Sequence, residues 1–389
     1  MLYCQFQDLK LSRLGFGTMR FPLLPDGTID EPEAIRLVQH AFAQGINYFD
    51  TAYSYLGGQA EIVLGRALQP LPREKVYLAS KFPGHELRDS YDPATIFERQ
   101  LQKCGVEYFD FYLLHNIYES SVHTYYDERW GILDYFLAQK KAGRIRHLGF
   151  SAHAQPDLLE EFLDRMGDQM EFCQIQLNYL DWTLQNAKTK YEMLTQRQIP
   201  VWVMEPLRGG KLAELKPEAV SRLQALRPEE TAAAWGFRWL QQLPNVYVTL
   251  SGMSTMAQLE DNLKTYAVEK PLSAEEMALL QELAGQMVDM QPCTGCRYCC
   301  NACSQKLDIP RLLSLYDDCR YAQSITAVMA ADALPPEQHP SACIGCGNCE
   351  KVCPQGIPIP KLLKHYQEML AEMPRWADIS LERSKQDEF

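Results

Sequence analysis

Two groups of residues in this chain have the types and spacing to do chemistry. The first is cysteine. Of thirteen cysteines, ten fall between residues 293 and 353. Cys343-x2-Cys346-x2-Cys349-x3-Cys353-Pro354 has the spacing with which a chain wraps a [4Fe–4S] cubane. Structural zinc instead favours two short pairs separated by a longer loop. The stretch 293–303, CTGCRYCCNAC, repeats the pattern with one cysteine to spare. Cys293, Cys296, Cys299 and Cys303 reproduce the gaps and leave Cys300 over. A second ruler agrees: Cys303 lies seven residues before Pro310, and Cys353 seven before Pro360. Ser304 stands where the second run has Pro354. When two such runs share a chain, the fourth cysteine of each ligates the other cluster. The expected sets are Cys293, Cys296, Cys299 and Cys353 for one [4Fe–4S] cluster, and Cys343, Cys346, Cys349 and Cys303 for the second.

The second group is a proton-transfer set at the ends of apolar runs: Asp50, Tyr55, Lys81 and His115. Tyrosine at its free pKa of ~10 is a poor acid at neutral pH. A neighbouring ammonium lowers that pKa, and a carboxylate holds the ammonium in place. A histidine can orient a carbonyl or share its proton.

These residues need rigid elements to position them. Eight strand-like runs rich in β-branched and aromatic residues are expected at 14–19, 47–52, 76–81, 109–115, 145–151, 172–178, 200–206 and 246–252. Most recur at about 30 residues, the length of one βα unit. Amphipathic helices fill the gaps. DPATIFERQLQKCG, for example, has an Asp cap, Pro93 in its first turn and Gly105 at its end. The segment after Glu205 leaves room for an extra helix near 217–226. Eight such units over roughly 250 residues favour an α/β (β/α)8 TIM barrel. The lack of GxGxxG after the first strand weighs against an open doubly wound sheet. In a barrel, chemistry sits at the C-terminal ends of the strands, where the four residues above fall. The expected division is a barrel over 1–287, a smaller, mainly helical iron–sulfur domain over 288–373, and a polar tail over 374–389.

A net charge of −12 excludes nonspecific nucleic-acid binding. No apolar run reaches the ~18 residues of a membrane helix, and no secretory signal is visible at the N-terminus. The expected setting is cytoplasmic, with no membrane or nucleic-acid partner.

LGFGTMRF, YFDTAYSYLGGQAEIVLGRAL, YLASK, DFYLLH, HLGFSAH and EPLRGGKL resemble the aldo-keto reductase family over roughly residues 1–285. The resemblance implies reversible reduction of a small-molecule carbonyl with NADPH or NADH. Tyr55 would be the proton donor, Lys81 paired with Asp50 its tuning cation, and His115 the residue that positions the substrate. The family's nicotinamide contacts would fall on Gly17, Thr18 and Met19. Its carboxamide contacts would be Ser151 and Gln174, and its pyrophosphate contacts Leu207, Gly209 and Lys211. Its adenosine contacts would be Ser254, Gln258, Asp261 and Asn262. Two positions depart from the family pattern. Gln258 stands where NADPH-preferring members place a basic residue, so a charge-assisted contact to a 2′-phosphate is lost. Ala152 stands where many members have Asn, with His153 either compensating or simply a loop histidine. The cysteine region resembles a helical ferredoxin-type module, each run leading through an Ile-Pro step into a helix.

The reading that follows is an oxidoreductase whose two clusters transfer electrons, with a ferredoxin-like partner admitted. The alternatives are a plain carbonyl reductase with structural clusters, and a non-catalytic electron carrier on a retired barrel. The stretch 118–130, YESSVHTYYDERW, either walls the pocket or faces solvent.

Overall fold

The computed structural model describes the chain except for residues 87–89, 288–290, 292, 294–296, 322–324, 354, 376–377 and 379–389. Cys296 and the expected domain boundary at 288 therefore lie outside the described residues. All eight expected strands form: β3 (Leu14–Gly17), β4 (Tyr48–Asp50), β5 (Tyr77–Phe82), β6 (Phe109–Ile117), β7 (Ile145–Ala152), β8 (Cys173–Gln176), β9 (Val201–Met204) and β10 (Val246–Ser251). They pair in parallel as a closed barrel in which β10 returns to β3. The expected extra helix is present as Pro217–Leu226, and Ala274–Met287 is the last helix before the cysteines.

Local chemistry sets the helix bounds. The Asp92 carboxylate accepts from the backbone N–H groups of Ala94 and Thr95, and Pro93 opens helix Pro93–Cys104. Gly105 closes it at φ +64°, a left-handed turn that costs glycine nothing.

Two further strands, β1 (Tyr3–Phe6) and β2 (Leu9–Ser12), escape the pattern reading. They form an antiparallel hairpin turned by Gln7 at φ 51°. Phe6 and Leu11 are buried against Tyr48, Phe111, Phe172 and Trp202 and join the core there. Each strand is four residues long, with no Gly or Asn at the turn to announce it.

Behind β5 lies a buried polar knot. Glu61 accepts from Ser80 Oγ at 2.6 Å and Gln100 Nε2 at 2.7 Å, with Lys103 Nζ 3.4 Å from its other oxygen. Ser80 immediately precedes Lys81, so the knot fixes the strand that carries the site lysine.

The cysteine region folds as helices Tyr298–Ala302, Ile309–Tyr321, Ile325–Asp332, Asn348–Lys351 and Ile359–Glu372 around a core of its own that includes Leu312, Tyr316, Leu363 and Tyr366. Its two halves repeat at the backbone level. Arg297 (φ 63°) and Gly347 (φ 72°) precede equivalent short helices, and Lys306 (φ 55°) and Gly356 (φ 60°) turn the chain after the fourth cysteine of each run. Cys303 N–H donates to Cys300 O as Cys353 N–H donates to Glu350 O, both at 3.2 Å. This repeat places Cys299 opposite Cys349 and Cys303 opposite Cys353, the register read from the prolines.

This region meets the barrel at the C-terminal ends of its strands. Arg311 Nη2 lies 3.4 Å from Glu119 Oε1, after β6. Tyr118 packs with Met329 and Ala333. Tyr118, Val122 and Tyr125 are buried, so 118–130 is not simply a solvent loop, but none of it lines the cleft beside Tyr55. Asp318 is buried near Asp181, Arg208 and Lys190. Burial pushes its carboxyl well above the usual carboxylate range, and Asp181 and Asp317 add to this against Arg208 and Lys190.

Two measurements test these polar contacts. Glu61→Ala removes the buried carboxylate that Lys103, Gln100 and Ser80 share and should cost roughly 3–5 kcal/mol in denaturant unfolding; a loss under about 1 kcal/mol would refute the knot's importance. Asp318 binds a proton more tightly folded than unfolded. The stability it confers is present at low pH and is lost as pH rises from its unfolded value toward its raised folded one. The drop in melting temperature from pH 5 to pH 8 should therefore be smaller in Asp318→Asn than in the parent protein. An identical drop would show that Asp318 is not held protonated.

Candidate active site

Lys81 is wholly buried near the end of β5. Its ammonium donates to Asp50 Oδ1, at the end of β4, and to Thr51 O at 2.7 Å. The parallel register that aligns Asp50 with Ala79 brings the two side chains together. Tyr55 returns over them on the turn after β4, its ring centroid 4.9 Å from Lys81 Nζ. Burial opposes the charge on Lys81, but Asp50 and Tyr55 outweigh it and hold the ammonium above its ordinary pKa. Burial raises the Asp50 carboxyl too, against the opposing pull of Lys81. Tyr55 departs from the sequence expectation. Lys81 does lower its pKa, but burial is the larger effect and leaves the phenol above its usual value. Tyr55 is therefore a phenol rather than a phenolate at neutral pH, as a proton donor must be.

His115 completes the group, its ring centroid 5.9 Å from that of Tyr55 in an edge-on arrangement. Tyr125 donates its hydroxyl to His115 O at 2.6 Å and lies 3.2 Å from Phe82 O, tying together the ends of β6 and β5. Gly84 is required there, since a Cβ would meet the Tyr125 ring at 2.5 Å. The same turn places His85, a residue the sequence reading passed over, 4.4 Å from the His115 ring. Its position four residues after Lys81 was the available signal. His153 is shifted down to about 3 by burial, with Lys190 and His85 also opposing its charge. It is thus neutral at physiological pH and lies on the loop after β7.

Beside Tyr55 and Asp50 opens a cleft of about 320 Å³. Of the residues expected to contact a nicotinamide cofactor, Gly17, Met19, Gln174, Leu207, Gly209, Ser254, Gln258, Asp261 and Asn262 line it. Thr18, Ser151 and Lys211 are not brought into it. Thr18 is fully buried. Ser151 Oγ accepts from Asn116 N–H at 2.7 Å, and Lys211 lines a neighbouring pocket. The adenosine-side residues are already engaged. Gln258 closes a capping box with Thr255 on helix Met256–Ala267, and its amide oxygen accepts from Ser254 N–H at 2.8 Å. Asp261 accepts from Thr231 Oγ1 at 2.6 Å. Asn262 donates to Ser251 Oγ at 3.1 Å. Two charged residues that the sequence reading missed face each other in the cleft: Arg20, after β3, and Glu205, after β9, with Nη2 to Oε1 at 3.4 Å. A half-exposed guanidinium and the small residues of the cleft fit a nucleotide cofactor. Gly252 is forced by this packing, because a Cβ would meet Arg20 at 2.8 Å.

The cysteine region builds a second candidate site. Cys303, Cys343, Cys346 and Cys349 line one small cavity. Burial pushes the Cys349 thiol up to about 11, with Cys343 and Cys303 as neighbours that add to it. Four thiols from both runs around one cavity fit a cubane. In the other half, burial pushes Cys299 up to about 12, with Cys300 and Cys293 nearby. Cys300 thus lies beside the ligand candidates while standing outside the repeat register.

Comparison with known proteins bears on both sites. The model of the Aldo/keto reductase family matches residues 13–284, and that of the 4Fe-4S dicluster domain matches 292–358. A probable aldo-keto reductase of Glycine max is 26% identical over 298 residues, covering 68% of this chain and 83% of the relative. An NADH-specific methylglyoxal reductase of Escherichia coli is 25% identical over 322 residues, covering 71% and 96%. The holo structure of an aldo-keto reductase from Bacillus halodurans superposes with a TM-score of 0.59 at 25% identity, covering 73% of this chain and 96% of the other. With the family model spanning most of the sequence and the closed barrel it implies in place, the chain belongs to the aldo/keto reductase family and is an oxidoreductase that carries a 4Fe–4S dicluster domain.

Proposed function

We propose that this protein reduces a small carbonyl compound with a nicotinamide cofactor, and that its dicluster domain exchanges electrons at the same site. The proposed division is a barrel over 1–287, the cluster domain over 288–373 and a polar tail over 374–389. One observation carries the reading: the dicluster domain docks on the catalytic end of the barrel, through Arg311 to Glu119 and Met329 to Tyr118. A module serving only to hold the C-terminus in place has no reason to choose that face. The proposed cluster ligands are Cys293, Cys296, Cys299 and Cys353 for one cluster, and Cys343, Cys346, Cys349 and Cys303 for the other.

In the barrel, a bound nicotinamide would supply hydride to the carbonyl carbon. Tyr55 gives its proton to the carbonyl oxygen. Lys81 stabilises the phenolate that this leaves, and Asp50 holds Lys81 charged and in position. His115 orients the carbonyl oxygen toward Tyr55. Gly17, Met19, Gln174, Leu207 and Gly209 hold the cofactor along the cleft, with Arg20 as its cation toward the pyrophosphate. The clusters, held by their eight thiolates, would supply single electrons; two of them, with the Tyr55 proton and a second proton from solvent, would reduce the carbonyl in place of hydride.

We further infer a preference for NADH. At the adenosine end the Gln258 amide is committed to its capping box, and Asp261 and Glu214 line the same cleft. Carboxylates there accept from ribose hydroxyls and repel a 2′-phosphate. Among the described residues no helix is long and apolar enough to cross a membrane.

Anaerobically purified protein should oxidise NADH in a carbonyl-dependent manner, and Tyr55→Phe should lower kcat by about 10²–10⁴-fold. In the same samples, dithionite-reduced clusters followed by EPR should reoxidise when carbonyl is added. Clusters that stay reduced would sink the electron-transfer half of the reading, and an active Tyr55→Phe variant would sink the barrel half. For cofactor choice, kcat/KM with NADH should exceed that with NADPH, and Gln258→Arg should narrow the ratio by about tenfold, the value of one charge-assisted contact. A ratio unchanged by that substitution would show that the 2′-position is read elsewhere.

A further inference from the structure

The cavity lined by Cys303, Cys343, Cys346 and Cys349 is also lined by Ile344, Ser304, Gln305 and Pro360. Its rim is unusual for this chain. Ile344 is 64% exposed, the most exposed large apolar side chain among the described residues, and Val352 is 43% exposed. Cys346 between them is itself exposed. Apolar side chains left open beside a functional centre mark contact surfaces rather than ordinary solvent faces.

The rim carries local cations in a chain of net charge −12: residues 338–367 contain three lysines, Lys351, Lys361 and Lys364, against one acid, Glu350, with Glu337 and Glu368 just outside that span. Lys306 adds a further cation close to Cys303. Lys306, Lys351, Lys361 and Lys364 are all exposed. Among the described residues, Lys306, Lys351 and Lys361 form no ion pair; Lys364 has only a 3.9 Å contact with Glu368. Helix Ile309–Tyr321, whose first residue lines the cavity, carries Arg311 and Asp318 to the barrel.

We propose that this rim is the docking surface for a small acidic one-electron carrier protein, with Ile344 and Val352 at its apolar centre and Lys306, Lys351 and Lys361 around them. The proposal rests on the reading that the clusters transfer electrons. A cationic ring steers an acidic partner and fixes its orientation, and the apolar centre excludes water where the two redox groups approach. Each encounter moves one electron between the carrier and the cluster at this cavity: one is oxidised as the other is reduced, and no bond forms or breaks. A basic partner would be repelled, and a membrane surface would demand a larger apolar face than two side chains provide.

The test uses the full-length holoprotein and a plant-type [2Fe–2S] ferredoxin as the acidic probe, with visible spectra confirming equal cluster content in every variant. Calorimetry at low salt should show binding that weakens at least tenfold in Ile344→Asp and in a Lys351→Glu/Lys361→Glu double variant, and again on raising salt to 0.5 M. Stopped-flow electron transfer from reduced ferredoxin should slow in parallel, while transfer from reduced methyl viologen, which needs no docking surface, should be unchanged. Failure of the parent protein to bind the ferredoxin, binding indifferent to salt, or variants that bind as the parent does would each overturn the proposal. Viologen-driven reduction of the carbonyl reads the underlying electron-transfer assignment separately. If it is absent while ferredoxin binding behaves as described, that assignment fails and the docking surface stands.

Discussion

A lysine ammonium buried in the wall of a barrel has to be neutralised where it stands, because stripping it of water costs several kcal/mol. Lys81 meets that demand with Asp50 and the Thr51 carbonyl, both from the neighbouring strand end. The requirement reaches outward. It fixes the register of β4 against β5, and it leaves a short turn that must carry Tyr55 back over the ammonium. It also needs β5 to be rigid, which the Glu61 knot behind Ser80 supplies. The same burial that makes Lys81 costly keeps Tyr55 protonated. Bringing phenol and ammonium together in a dry place thus produces an acid that is poised but not spent.

Much of this architecture was legible in the sequence because the barrel repeats one rule eight times. Each βα unit carries its own apolar run, cap and turn, as Asp92, Pro93 and Gly105 illustrate, so errors in one unit do not spread. The candidate quartet was legible for the same reason: chemistry gathers at strand ends, and Asp50 ends β4 while Lys81 and His115 lie near the ends of β5 and β6. The cysteine spacing carried its own ruler in Pro310 and Pro360, and the backbone repeat through Lys306 and Gly356 agrees with it.

What was illegible is equally physical. The β1–β2 hairpin is too short for alternation to register, and its fit depends on Trp202 and Phe111, far away in sequence. His85 and Arg20 acquire meaning only through neighbours supplied by other strands. The net pKa of Tyr55 could not be read from its partners, because desolvation is a property of the whole wall and outweighs a nearby cation. The seam around Asp318 was invisible for the same reason: its neighbours Asp181, Lys190 and Arg208 come from three separate barrel segments.

The repeat in the cluster domain also bears on why an aldo/keto reductase barrel would carry such a module. Two halves built to one plan would be expected to face similar surroundings if their task were only to organise the C-terminus. They do not. The helix after the first run buries Asp318 against the barrel mouth and pairs Arg311 with Glu119, whereas the loop of the second run leaves Ile344, Cys346 and Val352 open among unpaired lysines. A symmetric fold has thus been given one docked end and one open end. That polarity is the arrangement the proposed route needs, with electrons entering at the solvent rim and leaving where Tyr55 and His115 meet the substrate. It also supplies what a nicotinamide alone lacks, a path for electrons taken one at a time.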